Sequence, residues 1–222
     1  MENLLLPDKR RAPMLYDVEF RGKKERTVSI RAGITFPQAE RPGYFCLVAQ
    51  LEPRAKVWES SPEDKTPRFL AFAEGQGSLM KDFFEKIVEL CRTWRIDRLC
   101  HGDEVGDQSF SNQLNDCLRS KKEGSEVIQR PSVYKSWRCQ QVDFLVQLVR
   151  SRIAEKALLL FNISDNRTPL LIEKLRNADR ESNILEIPEI RALAYVMDDF
   201  DVNPWSPPPK KEKAEKREPW AF

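Results

Sequence analysis

The stretch 44–52, YFCLVAQLE, constrains the fold more than any other part of the chain. It is a near-continuous apolar run with no alternation of polar and apolar side chains. A strand covered on one face alternates, whereas a strand covered on both faces does not. The run therefore predicts a strand inside a sheet with a layer of other elements on each side. With 222 residues, 41% of them hydrophobic and 32% charged, the chain has enough apolar material for such a core.

The flanking sequence supplies those elements. Pro53 and Arg54 read as a turn, AKVWESS (55–61) as a second strand, PEDKTP (62–67) as a turn and RFLAFAEG (68–75) as a third strand. Together they predict a three-strand antiparallel meander. Gly75, Gly77 and Ser78 end the meander and open a helix, with Ser78 as its N-cap. Met80, Phe84, Ile87, Cys91 and Trp94 then recur at helical spacing, with Phe83 and Leu90 widening the stripe. A fourth strand follows at 96–102, a helix at 108–122, a fifth strand at 125–132 and a helix at 137–153. Pro169 and Pro188 each occupy the first position of a further helix. ALLLF (157–161) fits a helix end or a short strand equally.

Upstream, 16–20 and 26–32 alternate as two short strands around RGKKE, and 34–43 reads as a linker. The expected division is an N-terminal extension (1–40) carrying a short hairpin, a domain (41–202), and a disordered Pro-rich, charged tail (203–222). The order β-β-β-α-β-α-β-α predicts an α/β domain with a mixed five-stranded sheet and helices on both faces. That order resembles the RNase H-like fold.

Composition narrows the chemistry. The chain has a single His, His101. A zinc site with two or three His ligands is excluded, and any hydrolytic chemistry is steered toward carboxylates and hard cations. The formal net charge is only +2, but residues 1–31 carry eight basic and five acidic side chains, and 210–222 carry five basic and three acidic. The middle is faintly acidic, a pattern compatible with cations held inside and phosphates outside. Five cysteines with no CxxC point to reduced thiols and a cytoplasmic protein, including the cytoplasm of an infected host. No run approaches the ~18 residues of a membrane span. MENLLLPDKRR has too short an apolar core for a signal peptide.

Acidic residues stand where strands end. Glu52 closes the run at 44–52, and Asp103 and Glu104 follow the fourth strand in CHGDEVG. Glu189 lies in the first turn of the last helix, and Asp198, Asp199 and Asp201 lie at its far end. LVAQLEP (47–53), RLCHGDEVG (98–106) and PEIRALAYV (188–196) resemble the C-terminal nuclease domain of phage terminase large subunits, across roughly 43–200. That family has a strand ending in Asp-Pro or a similar turn, a later strand ending in an acidic residue, and a late helix with Asp before an Ala-Leu segment.

The resemblance implies a metal-dependent DNA endonuclease in phage DNA packaging or processing. Glu52, Asp103, Glu104 and Glu189 would be catalytic and would hold Mg²⁺ or Mn²⁺. Two such ions about 3.5–4 Å apart activate water and stabilise the leaving oxygen. It also implies double-stranded DNA as partner, with a separate packaging ATPase or other phage proteins, since no GxxxxGK[ST] occurs in the chain.

Two departures stand out: Glu replaces Asp at the first and third positions. They motivate an alternative, a catalytically inactive DNA-binding or assembly module of the same fold. A Holliday-junction resolvase-like enzyme is a third reading. Arg130, Lys135, Arg138, Arg150, Arg152 and Lys156 flank the helix at 137–153 and either contact phosphates or form a solvated face. Trp58, Trp94 and Trp137 are expected in or at the edge of the core, the acids at 198–201 in solvent, and His101 at a strand end.

Overall fold

The computed structural model describes residues 5–7, 16–20, 23–38, 41–52, 66–103, 107–120, 131–160, 171, 175 and 187–204. The strands are β1 (Leu5–Pro7), β2 (Tyr16–Phe20), β3 (Lys23–Thr35), β4 (Gly43–Leu51), β5 (Arg68–Gly77), β6 (Arg98–His101), β7 (Ser132–Lys135) and β8 (Leu158–Leu160). The helices are α1 (Met80–Trp94), α2 (Asp107–Ser120), α3 (Val142–Ala154) and α4 (Pro188–Val202). Leu171 and Leu175 are also helical.

β3 is the middle of the sheet. It pairs antiparallel with β4 on one side, from Thr27↔Leu51 to Thr35↔Tyr44, and parallel with β6 on the other, from Arg31↔Arg98 to Ile34↔His101. β5 adds antiparallel to β4, β7 parallel to β6, and β8 parallel to β5. The main sheet thus runs β7-β6-β3-β4-β5-β8, and β2 and β1 continue from the start of β3. A three-strand antiparallel meander followed by parallel β/α units is the RNase H-like order, as the sequence predicts.

The assignment of strands within that order differs from the expectation. The meander is β3, β4 and β5, so the run at 44–52 is its second strand and β3 its first. Residues 27–35 therefore belong to the centre of the domain, and a boundary at 40/41 would cut the sheet between its two most central strands. The reason is burial: Ile30, Ala32 and Ile34 are at most 2% exposed, so β3 is a central strand as well as the second arm of the expected hairpin with β2. The sheet gains a sixth member because 158–160 is a strand. The fifth strand of the expectation lies at Ser132–Lys135, just beyond 125–132. The strand expected at 55–61, most of the helix opening at Pro169, and 205–222 of the tail lie outside the described residues.

Each face of the sheet carries a core. Ile30, Ala32, Ile34, Phe45, Leu47, Ala49 and Leu70 meet Phe83, Phe84, Ile87 and Cys91 of α1 and Leu114 of α2. Tyr44, Cys46, Val48, Phe69 and Ala71 meet Leu145, Val146 and Val149 of α3 and the apolar side chains of α4. β4 is buried at every position, as its apolar run requires. α1 starts one residue beyond Ser78, on Leu79 and with no side-chain cap, and it ends at Arg95 in the left-handed conformation (φ 49°). No helix among the described residues is long and apolar enough to cross a membrane.

Candidate functional site at the carboxyl edge of the sheet

β3 and β6 run parallel, so their carboxyl ends share one edge. Ile34 pairs with His101, which brings Thr35 and Phe36 beside Gly102 and Asp103. Alternate residues of β3 face opposite layers. Ile34 enters the α1/α2 core, while Arg31 and Gly33 face α4. Thr35 is buried and accepts the backbone N–H of Tyr44 at 3.2 Å.

α4 lies across this face. Pro188 and Arg191 reach the carboxyl edge, where they line a cleft with Thr35, Phe36, Gln38, Arg41 and Pro42. Ala192 passes so close to Gly33 that any Cβ there would overlap its carbonyl oxygen. Tyr195 packs on Gly102, and its hydroxyl accepts Nε–H of Arg191 at 3.3 Å. At the far end, Asp199 receives Arg31 Nη1 at 2.9 Å and Arg98 Nη2 at 2.8 Å. Asp198 accepts the Ser136 hydroxyl at 2.6 Å and Arg138 Nε at 2.5 Å.

The expected site residues separate on this frame. Glu52 is at the opposite edge. Its amide donates to the Arg26 carbonyl at 2.7 Å, and its carboxylate lies 3.6 Å from Arg26 Nη1. Arg26 and Ile34 are eight residues apart along β3, about 26 Å at the usual rise per residue. Glu52 therefore cannot share a metal with Asp103. The cause is strand direction: β4 runs antiparallel to β3 and β6, so its end meets their beginnings.

Asp103 is at the carboxyl edge and exposed, 2.6 Å from Lys135 Nζ and 3.0 Å from Gln140 Nε2. The Lys135 and Gln140 hydrogen bonds hold its pKa below the usual carboxylate value. Glu104 lies outside the described residues. Glu189 is half-buried in the first turn of α4 and acts electrostatically on Tyr44.

Three features were not expected. Glu74, inside the apolar run of β5, accepts the Tyr44 hydroxyl. Burial first, then Cys46 and Glu74, push the Tyr44 phenol far above its ordinary pKa, so it remains a donor. Asp198 and Asp199 are buried in ion pairs with sheet and loop arginines, because the end of α4 turns toward the sheet and away from solvent. Trp137 is 73% exposed in the turn before α3, although a place in or at the edge of the core was expected. His101 is buried against Phe36 with Nδ1 2.9 Å from the Gly102 carbonyl, and burial lowers its pKa.

Among the described residues the donor set of this edge is mixed. Hard divalent ions need anionic oxygen ligands. Here the central strand ends in the Thr35 hydroxyl, α4 contributes Arg191 together with Glu189, and Asp103 is paired with Lys135. Among the described residues no three His, Cys, Asp or Glu side chains are grouped to hold an ion.

The sequence matches no family model and no curated protein. Solved structures similar to it include the nuclease domain of the g2p large terminase from bacteriophage SPP1 with bound Mn. The TM-score is 0.45 at 14% identity, over 79% of this chain and 87% of that one. Another is the human cytomegalovirus terminase nuclease domain, Mn-soaked and inhibitor-bound. There the TM-score is 0.46 at 10% identity, over 79% and 83%. The sheet order seen here, a three-strand meander followed by parallel β/α units, is the RNase H-like order expected from the sequence.

Proposed function

We propose that this chain is a nuclease-derived module that binds DNA through the carboxyl edge of its sheet without hydrolysing it, as a DNA-binding or assembly component of phage DNA packaging. One observation carries the reading. With β3 as first strand, the turn at its end is Ile34-Thr35-Phe36-Pro37, and the residue directly before Ala192-Leu193 is Arg191. Where the resemblance expects carboxylates, the chain offers a hydroxyl and a cation. That exchange puts groups that hydrogen-bond phosphate where two of the ligands for Mg²⁺ or Mn²⁺ would stand. The basic end of the chain (210–222) would add phosphate contacts of its own. A packaging ATPase or another phage protein is the proposed assembly partner.

Plasmid cleavage tests this reading. Supercoiled DNA incubated with Mn²⁺ should stay intact with the wild type and with Asp103→Ala, while both shift labelled double-stranded DNA in low salt with EDTA present. Nicking by the wild type that Asp103→Ala abolishes would establish the hydrolytic reading instead. That second reading is favoured by one feature, Asp103 at the end of the strand beside β3 with Glu104 next in sequence and Glu189 on the same edge. Junction-specific cutting would point to a resolvase.

A further inference from the structure

We propose that the exposed aromatic face around Trp137, between the end of β7 and the start of α3, is a self-association surface. Its occupant is the same face of a second copy of this chain, related by a two-fold axis. This does not rest on the DNA-binding reading above.

Among the described residues five large apolar side chains are exposed: Leu79, Tyr134, Trp137, Phe144 and Val202. Such residues scattered singly need no explanation. All but Leu79, however, gather about one ion-pair network. The guanidinium of Arg98 lies 4.0 Å over the Tyr134 ring and donates to Asp199 at 2.8 Å. That of Arg138 lies 4.5 Å over the Phe144 ring and donates to Asp198 at 2.5 Å and to Asp201 at 2.7 Å. Trp137 directly precedes Arg138, and Val202 directly follows Asp201. A cluster of Trp, Tyr, Phe and Arg has the composition of an interface hot spot.

Trp137 is also held in place by its neighbours. Ser136 and Arg138 are both tied to the Asp198 carboxylate, which is fully buried. The Ser136 hydroxyl donates to it at 2.6 Å and the Arg138 amide at 3.1 Å. The Ser136 amide donates in turn to the His101 carbonyl at 2.7 Å. The backbone is therefore fixed on both sides of a side chain that is 73% exposed. An anchor ordered before contact loses less freedom on binding.

Charge decides the occupant. The cations around the rings are neutralised by acids of the same chain: Arg98 by Asp199, Arg138 by Asp198 and Asp201, Arg152 by Asp201, and Lys135 by Asp103. A phosphate backbone would have to break these pairs, and Asp198 and Asp199 are buried acids that would be left without their cations. A neutral apolar face complements another of the same kind. A second copy brings one whose cations are already paired, so the two meet without repulsion. Such a contact is self-complementary and closes at two copies.

Sedimentation equilibrium of the full chain without DNA tests this. The wild type should pass from monomer to dimer between about 1 and 100 μM. Trp137→Ala should raise the dimer dissociation constant about thirtyfold, the loss expected of a hot-spot residue. Phe144→Ser should raise it in the same direction, and Leu79→Ser, exposed but away from this face, should leave it unchanged. All three alter exposed side chains, and unchanged circular dichroism shows that they fold. A wild type that stays monomeric to about 100 μM would overturn the proposal. So would a dimer whose dissociation constant neither Trp137→Ala nor Phe144→Ser moves, since its contact lies elsewhere. A monomeric wild type whose affinity for labelled double-stranded DNA falls with Trp137→Ala would give the face to nucleic acid instead.

Discussion

Nη1 of Arg31 lies 2.9 Å from Oδ2 of Asp199, joining the middle of the sheet to the last helix across 168 residues of sequence. Both side chains are almost fully buried, at 7% and 3% exposure. Arg98 occupies the other carboxylate oxygen, and the Asn203 carbonyl accepts Arg31 Nη2 at 2.9 Å. The ring of Phe200 lies 4.2 Å below the Arg31 guanidinium. This cluster sets how α4 crosses β3, and with it the position of Arg191 at the carboxyl edge.

Removing one partner of such a pair strands the other charge in the interior. Asp199→Asn should lower unfolding stability by about 3–5 kcal/mol, read from urea denaturation, and Arg31→Met with Asp199→Leu should regain part of it. A loss under about 1 kcal/mol from Asp199→Asn would mean that the pair behaves as a surface bridge.

Gly33 and Gly102 separate two kinds of close approach. At Gly33 a methyl group meets the backbone carbonyl of Ala192, which can move only if α4 moves. Gly33→Ala should cost about 3 kcal/mol, near the top of the range for overpacking. At Gly102 the obstacle is the Tyr195 side chain, which can give way, so Gly102→Ala should cost less. Paired thermal melts check the order, and equal losses would contradict it.

His101 predicts a pH dependence of definite sign. Burial lowers its pKa from 6.5, so the unfolded chain takes up a proton at a pH where the folded chain does not. Stability should therefore fall as pH drops from about 6.5 toward the folded pKa, by no more than about 1.4 kcal/mol per pH unit, and level off above. His101→Asn should remove that slope. Urea midpoints at pH values between about 7 and 5.5, above the main carboxylate range, measure it. Parallel curves for the two proteins would refute the assignment.

The cysteines should react in order of burial. All five are free thiols, with Cys117 half-buried and the others buried. Burial raises Cys91 to about 12 and holds Cys46 and Cys100 well above the ordinary thiol value, so little thiolate exists at neutral pH. A thiol reagent under native conditions should label Cys117 first, and the rest only on unfolding. Rapid native labelling at Cys46 or Cys100 would show that the sheet opens.

Local patterns carried the elements. The run at 44–52 is buried along its whole length because nothing polar interrupts it. The stripe from Met80 to Trp94 is helical because its spacing leaves one face apolar, and Pro188 opens α4 because its missing N–H costs nothing there. The alternation at 26–32 was visible too, but its meaning was not. Alternation describes a strand with two different faces, and the polar face of β3 is covered by α4, whose Asp199, the partner of Arg31, lies far along the chain.

The sequence by itself determined the order of strands and helices, the RNase H-like class that follows from it, and the steering of any hydrolytic chemistry toward carboxylates and hard metal ions by a single His. Only the tertiary structure decided which strand is central and at which end of the sheet each acid stands. Strand direction is a pairing property: it sends Glu52 to one edge and Asp103 to the other. The same pairing brings Thr35, Arg41 and Arg191 around one cleft, though no local pattern marks any of them. Residues far apart in sequence become a site only through the register of β3 against β6 and the seat of α4 upon it.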